Sequence, residues 1–459
     1  VEDARLPLAQ GGADGQGLCG SKKYGVKDPF NELAKGSLYT FLNAMTYSDK
    51  TMYPIASCNE QDFHNMMDVY LDAVFHPNIY QNPAIFMQEG WHYTLENGKL
   101  GISGVVYNEM KGVYSDPESI LMSDTAKALF GDTTYGFDSG GAPEHIPELS
   151  YEEFLAFHKK YYHPSNSYIF LYGNMDLDRC FAHLDEAYLS AYEPLLELPS
   201  IARTPDFRAP KTLYGTYPVE EGSNLKESTY LSYSVKTTLS DDVFYAQAFQ
   251  ILSYILLDTN ASPIKRALLD SGICQEAEGW YDSSNWETSF QIIGKNAEKE
   301  NLEEFCRIIH DTLEQLAENG LPTELTTAAL DKMEFILREE DYGNRPKGLV
   351  YIASCLKSWL HNGSPFAPLR KLNMFQAVKK AALEDHLFEK MIQKYLLDSN
   401  NKVYYALSPE AGKQDREDMA FQADLEALQK KMSAEDLKKI EEDLKSLKRF
   451  QQQEDSPEL

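Results

Sequence analysis

Long apolar runs are missing from this sequence. The longest stretch, Ile251 to Leu257, still contains Ser253 and is far too short to cross a bilayer, so no membrane partner is expected. Cysteine is scarce: Cys19, Cys58, Cys180, Cys274, Cys306 and Cys355 lie far apart and form no C-x-x-C pair. Neither a disulfide framework nor a cysteine-based zinc site is suggested, and reduced core thiols point to a cytoplasmic compartment. The N-terminus lacks the apolar stretch of a signal peptide. Positive charge is in deficit, 43 Lys and Arg against 71 Asp and Glu, for a formal net charge of −28. That surface repels phosphate backbones and disfavours nucleic acid. It suits basic peptides, although solubility alone is the commoner reason for such acidity. What is present is ordinary for a folded protein, 43% apolar and 25% charged residues, over a length that calls for two or three cores.

Familiar catalytic strings are also missing. There is no G-x-S-x-G, no G-x-x-x-x-G-K-[ST] and no G-x-G-x-x-G. The glycines of Asp138-Ser-Gly-Gly141 read as a tight turn rather than a phosphate cradle. No two of the ten histidines are four apart, so neither H-E-x-x-H nor H-x-x-E-H occurs. His158 and His163 are five apart, a poor spacing for one helix face, and His163 before Pro164 is expected to cap or pack.

The clearest organisational signal is an internal repeat. The strand-like run Tyr53 to Cys58 leads through a candidate N-cap, Asn59, into a helix with Phe63, Met66, Met67, Tyr70 and Val74 on one face. Further on, Phe290 to Asn296 leads into a helix carrying Leu302, Phe305, Cys306, Ile309 and Leu313 at the same spacing. A second echo pairs Lys160-Tyr-Tyr-His-Pro-Ser-Asn166 with Lys394-Tyr-Leu-Leu-Asp-Ser-Asn400. Each echo is followed by a predicted strand, Tyr168 to Tyr172 and Val403 to Leu407. The spacing therefore predicts a duplicated α+β domain, chance likeness of common strand–helix units being the alternative. Two tandem homologous mixed-sheet and helix domains are expected at 18–197 and 211–409, joined by the Pro-containing connector Leu198 to Pro210. Residues 1–17, with four glycines and no periodicity, read as a linker or a non-native start. Residues 410–459 read as a helical hairpin, with Leu425, Leu428 and Met432 on one arm and Leu437, Ile440, Leu444 and Leu447 on the other. Ser433 and Asp436 suit a capping box between them, and the narrow apolar stripe calls for a surface to pack on.

Glu109 stands out in Gly104-Val-Val-Tyr-Asn-Glu-Met-Lys-Gly112, where a strand-like run feeds a helix with an acidic group in its first turn. Taken alone it reads as a carboxylate answering the helix dipole, the commoner role.

Several strings in order resemble the pitrilysin/insulinase family of zinc metallopeptidases, in its presequence-protease branch. They are Leu18-Cys-Gly-Ser-Lys-Lys-Tyr24, Lys35-Gly-Ser-Leu-Tyr-Thr-Phe-Leu-Asn-Ala44, Asn108-Glu-Met-Lys-Gly112, Tyr135-Gly-Phe-Asp-Ser-Gly-Gly141 and Tyr161-Tyr-His-Pro-Ser-Asn166. The resemblance runs on through the acidic hairpin. It implies a chamber of two homologous halves, of which this chain is the N-terminal half and the hairpin the linker to a missing C-terminal half. By resemblance, Glu109 is the third zinc ligand, and the strand around Asn43, Ala44, Met45 and Thr46 is the edge to which an unstructured peptide substrate adds as a further strand. The family's H-x-x-E-H would place its histidines at Gly11 and Gly15 and its general base at Asp14. Glycine offers no ligand atom, so zinc retention is not expected, no catalytic residue is assigned, and this chain is predicted to be inactive. Three readings follow. The chain is part of a metalloendopeptidase that degrades short unstructured peptides, or a noncatalytic homologue that binds peptides or scaffolds a partner, or a carrier of a carboxylate-only cation site.

Overall fold

The computed structural model describes residues 19–453. They form two compact units, one built from 19–115, 137–202 and 415–453, the other from 116–136 and 203–414. The continuous boundaries expected from composition, 18–197 and 211–409, are thus interleaved. One helix from the first stretch of chain packs in the second unit, and the C-terminal hairpin packs in the first.

In the first unit Asp28 caps α1 (Pro29–Gly36) by accepting the Asn31 amide at 2.9 Å. A long hairpin follows, made of β1 (Tyr39–Leu42), β2 (Met45–Thr46), β3 (Thr51–Met52) and β4 (Ile55–Ser57). It pairs antiparallel with Leu42 opposite Ile55 and Met45 opposite Met52. Asn59 then starts α2 (Glu60–Phe75) as the sequence predicts, its side chain accepting the Asp62 amide at 2.9 Å. Met66, Met67 and Tyr70 are buried on its predicted inner face. α3 (Pro83–Glu89) leads to the hairpin of β5 (His92–Glu96) and β6 (Lys99–Ser103). Its turn residues Asn97 and Gly98 both have positive φ, the backbone that a two-residue hairpin demands. α4 (Val105–Val113) follows directly. α5 (Pro117–Phe130) belongs to the second unit. α6 (Tyr151–Tyr161), opened by a Ser150–Glu153 capping box, and α7 (Leu177–Leu184) complete the stretch. The apolar side chains here gather in separate small clusters, one around Leu42, Met66 and Tyr70, another around Ile79, Phe86 and Phe154.

The second unit is organised by one five-stranded sheet. Its strands are β7 (Lys211–Val219), β8 (Thr229–Leu239), β9 (Glu276–Asp282), β10 (Glu287–Ala297) and β11 (Lys402–Ala411), in the order β7-β11-β8-β10-β9. Only the β7–β11 pair is parallel. Helices α8 (Val243–Ser253), α9 (Pro263–Ser271), α10 (Leu302–Asn319), α11 (Thr323–Glu339), α12 (Lys347–Trp359), α13 (Lys371–Glu384) and α14 (Leu387–Met391) supply most of the rest. Leu231, Tyr233, Phe249, Phe290, Ile292, Phe305 and Ile309 belong to one continuous core. α5 covers another set on the same sheet, with Leu121 packed among Tyr217, Ile293, Tyr405 and Leu407 and Asp124 accepting from the Tyr405 hydroxyl.

α15 (Lys413–Lys431) and α16 (Ala434–Gln452) form the predicted hairpin, with the Ser433–Asp436 capping box in place. Its packing surface lies on this chain. Phe421 joins Val106, Tyr107 and Met110, and Phe450 joins Ile79 and Phe86. Gln429 donates to the Gly98 carbonyl at 2.8 Å and accepts from the Leu100 amide at 3.2 Å.

One predicted strand is absent. Val403 to Leu407 lies in β11, but no ladder among the described residues includes Tyr168 to Tyr172. A strand is held by its neighbours, and β11 has two, β7 and β8.

Candidate functional site

Glu109 and residues 43–46 both belong to the first unit, on different elements. Glu109 is placed by the start of α4. A Cβ at Gly104 would lie 2.2 Å from the Gly90 carbonyl oxygen, so only glycine lets the β6 chain turn so tightly into the helix. Because α4 begins at Val105, Glu109 lies on the second turn, and no acidic residue occupies the first. This corrects the first-turn placement, and it weakens the dipole explanation, which fades beyond the first turn. Glu109 is half-buried, and its neighbours on α4 are held down: Met110 packs with Ile146, and Lys111 reaches Asp418 at 3.4 Å.

The edge at 43–46 has a definite polarity. The Asn43 amide donates across the hairpin to the Pro54 carbonyl at 3.2 Å, and Tyr47 donates to Lys50 at 2.8 Å. In an antiparallel ladder every second residue faces its partner, so residues 43, 45 and 47 bond inward while Ala44 and Thr46 turn their backbone groups to the opposite edge. The Ala44 methyl is fully buried, leaving its backbone as its contribution to that edge. Its amide donates to the Asn43 side-chain carbonyl at 2.9 Å, and the Asn43 backbone carbonyl accepts from Tyr70 at 3.4 Å. Among the described residues, β1 and β2 pair only with β4 and β3.

The donor set does not suit zinc. Gly11, Asp14 and Gly15, the positions that would complete an H-x-x-E-H with Glu109, lie outside the described residues, and two of them have no side chain to ligate. Among the described residues the one convergent grouping of His, Cys, Asp and Glu is His310, Asp311 and Glu314 on α10. It excludes Glu109, and Arg307 already holds Asp311 at 2.7 Å. His158 and His163 of the first unit serve packing and capping instead. His158 is buried between the Tyr80 hydroxyl, 2.8 Å from Nδ1, and the Val74 carbonyl, 3.0 Å from Nε2, and burial pushes its pKa down to about 4. His163 caps the turn after it by accepting the Ser165 amide at 3.1 Å, as expected.

Sequence reasoning missed a buried polar centre in this unit. Asp68 on α2 accepts from the Lys23 ammonium and the Tyr24 hydroxyl, from the Tyr188 hydroxyl at 2.6 Å and from His183 Nε2 at 2.8 Å. Burial alone would raise its pKa, but the bonds from Lys23, Tyr188 and Tyr24 outweigh it and hold the carboxyl at about 2. The partners lie 44 to 120 residues away, so no local spacing announces them.

Comparison with known proteins places this geometry. The family described as "Peptidase M16 inactive domain" matches residues 148–333. The chain is 44% identical over 443 residues to "Protein HypA" of Clostridium perfringens, which takes in 96% of this chain and 45% of that protein. It is 39% identical over 453 residues to "Presequence protease 1, chloroplastic/mitochondrial" of Arabidopsis thaliana, 96% of this chain and 42% of that one. It thus spans about half the length of the curated relatives it matches. Among solved structures, a protease from Helicobacter pylori superimposes with a TM-score of 0.65 at 16% identity, over 88% of this chain and 91% of that one. A peptidase M16 inactive domain from Pseudomonas fluorescens gives 0.61 at 16% identity, over 89% and 92%. These two likenesses concern the fold.

Proposed function

Because the chain belongs to the pitrilysin/insulinase (M16) peptidase family, on its presequence-protease-like side, we propose that it forms the N-terminal half of a zinc-dependent metalloendopeptidase acting on short unstructured peptides. With glycine at positions 11 and 15, it binds peptide without cutting it. The observation that carries this reading is the edge at Ala44, whose backbone groups face away from the hairpin while Asn43 and Met45 bond inward. An added peptide strand would displace the Asn43 side chain from the Ala44 amide and take up the outward groups of Ala44. Glu109 would be the carboxylate ligand, but it has no imidazoles to share a zinc ion with, and no hydrolytic step follows from the residues present. The missing C-terminal half would close over this edge as partner. The spread, unpaired cysteines support a cytoplasmic setting, and among the described residues no helix is long and apolar enough to cross a membrane. The glycines at 11 and 15 favour one alternative, a noncatalytic homologue that binds peptide or scaffolds a partner.

The test is a fluorescent unstructured basic peptide added to the purified chain. Saturable binding with no chelator-sensitive cleavage is expected. Ala44→Pro removes the outward amide and spares the inward bonds of the hairpin, so it should weaken binding by about tenfold, the worth of one main-chain hydrogen bond, with Ala44→Gly near wild type. Peptide binding that ignores Ala44→Pro overturns the edge assignment, and chelator-sensitive cleavage overturns the predicted inactivity.

A further inference from the structure

The α15–α16 hairpin leaves a groove of about 400 Å³ against the β5–β6 hairpin of the first unit, a volume in the range of small-molecule sites. Its walls are fixed at two places. Gln429 bridges the Gly98 carbonyl and the Leu100 amide, and Phe450, near the end of α16, packs with Ile79 and Phe86. A groove held in this way gives up little freedom when it takes a ligand.

Two kinds of side chain line it. Leu95 of β5 and Leu437 and Leu444 of α16 are each only partly buried and give it an apolar floor. Leu437, Glu441, Leu444 and Lys448 follow one another at helical spacing, so the lined face runs about 16 Å along α16. Lys445 lies 3.9 Å from Glu441, and those two charges offset each other. Lys448 has no carboxylate partner among the described residues, whereas Lys438 on the same helix meets Glu442 at 3.6 Å. One positive charge therefore stands unbalanced at the C-terminal end of the floor, on a chain whose formal net charge is −28. A second negative charge on a ligand would meet Glu441, so a monoanion suits the groove better than a phosphate dianion. An apolar chain would cover leucine surface that the hairpin leaves open.

We propose that this groove is a binding site for an aliphatic monocarboxylate, with the carboxylate on Lys448 and the unbranched chain laid along Leu444, Leu95 and Leu437. Charge complementarity at one end and uncovered leucine along the rest carry this inference, which does not depend on the metallopeptidase reading.

Methyl NMR of the leucine-labelled chain tests it, with decanoate as the probe. Saturable shifts confined to the methyls of Leu95, Leu437 and Leu444 are expected. Decanol, with the same chain and no charge, should bind about tenfold more weakly, the worth of one charge-assisted hydrogen bond. Lys448→Gln should cost decanoate the same tenfold and leave decanol unchanged, a split that a general loss of structure would not give. Lys448 is exposed, so its replacement should not disturb the fold. Leu444→Ala should weaken both probes alike, because it removes apolar contact and no charge. Three results overturn the proposal: no saturable shift at these methyls, shifts spread over the buried leucines of the second unit, or a decanoate affinity that ignores Lys448→Gln. A leucine tripeptide with a free C-terminal carboxylate that shifts the same methyls and is not displaced by decanoate would assign the groove to a peptide terminus, and would overturn it equally.

Discussion

His158 shows what a single buried side chain costs in acid. Its neutral imidazole donates from Nε2 to the Val74 carbonyl and accepts from the Tyr80 hydroxyl at Nδ1 inside the first unit, and its pKa falls from 6.5 to about 4. Since the folded value lies below the unfolded one, the unfolded chain binds the proton first, and the stability His158 confers is complete above pH 6.5 and is lost as pH falls toward 4. Denaturant titrations should show a loss of about 3 kcal/mol across that window, and His158→Phe should flatten the slope there while lowering stability at pH 7. Asp68 predicts a different profile. With the carboxyl held at about 2 against 3.8 in the open chain, its contribution is present above pH 4 and fades only below it. Asp68→Asn should cost about 2–4 kcal/mol at pH 7, because the Lys23, Tyr24, Tyr188 and His183 donors lose a charged acceptor together. Neither residue was legible in the sequence. Tertiary neighbours set both values, whereas the caps at Asn59, His163 and Ser433 are local and could be read from a few letters.

At the scale of elements, the connector between the units is fixed by buried charge. Thr204 donates its amide and hydroxyl to Glu287 on β10, at 2.8 and 2.7 Å, and the Lys236 ammonium on β8 donates to the Thr204 carbonyl at 3.0 Å and lies 3.4 Å from Glu287. Lys236 and Glu287 are both buried, so Glu287→Ala leaves the ammonium with only the more distant, exposed Asp206 carboxylate at 3.8 Å and should destabilise the second unit by about 2–4 kcal/mol in thermal unfolding. The hairpin makes a milder prediction. Leu447→Ala removes a buried contact of α16 and should cost about 2–3 kcal/mol, and it should speed amide exchange in α15 and α16 ahead of the sheet of the second unit. Amphipathic spacing revealed α2, α10 and the hairpin because a helix satisfies its own backbone. It misled at Tyr168 to Tyr172, where composition gives strand propensity but a strand needs neighbours that propensity does not report. The same limit applies to Glu109: the string around it suggested a helix start, and only the turn at Gly104 shows that the carboxylate lies one turn further in.

For the whole molecule, the account claims a peptidase fold whose metal site lacks its imidazoles. The repeat, the family resemblance and the two-unit architecture agree on the fold, and the second unit offers no such site at the corresponding place. Its helix α8, which the repeat registers with the residues around Gly11 to Gly15, reads VFYAQAFQILS and carries no histidine, cysteine or carboxylate. The most direct measurement is zinc stoichiometry by mass spectrometry after dialysis, on the unaltered chain, on Gly11→His/Asp14→Glu/Gly15→His, and on that triple variant with Glu109→Gln. The account predicts less than about 0.1 zinc per unaltered chain, about one in the triple variant, and a return to background when Glu109 is lost, as expected for a two-histidine, one-carboxylate site. One zinc held by the unaltered chain, or a triple variant whose zinc ignores Glu109→Gln, would contradict it.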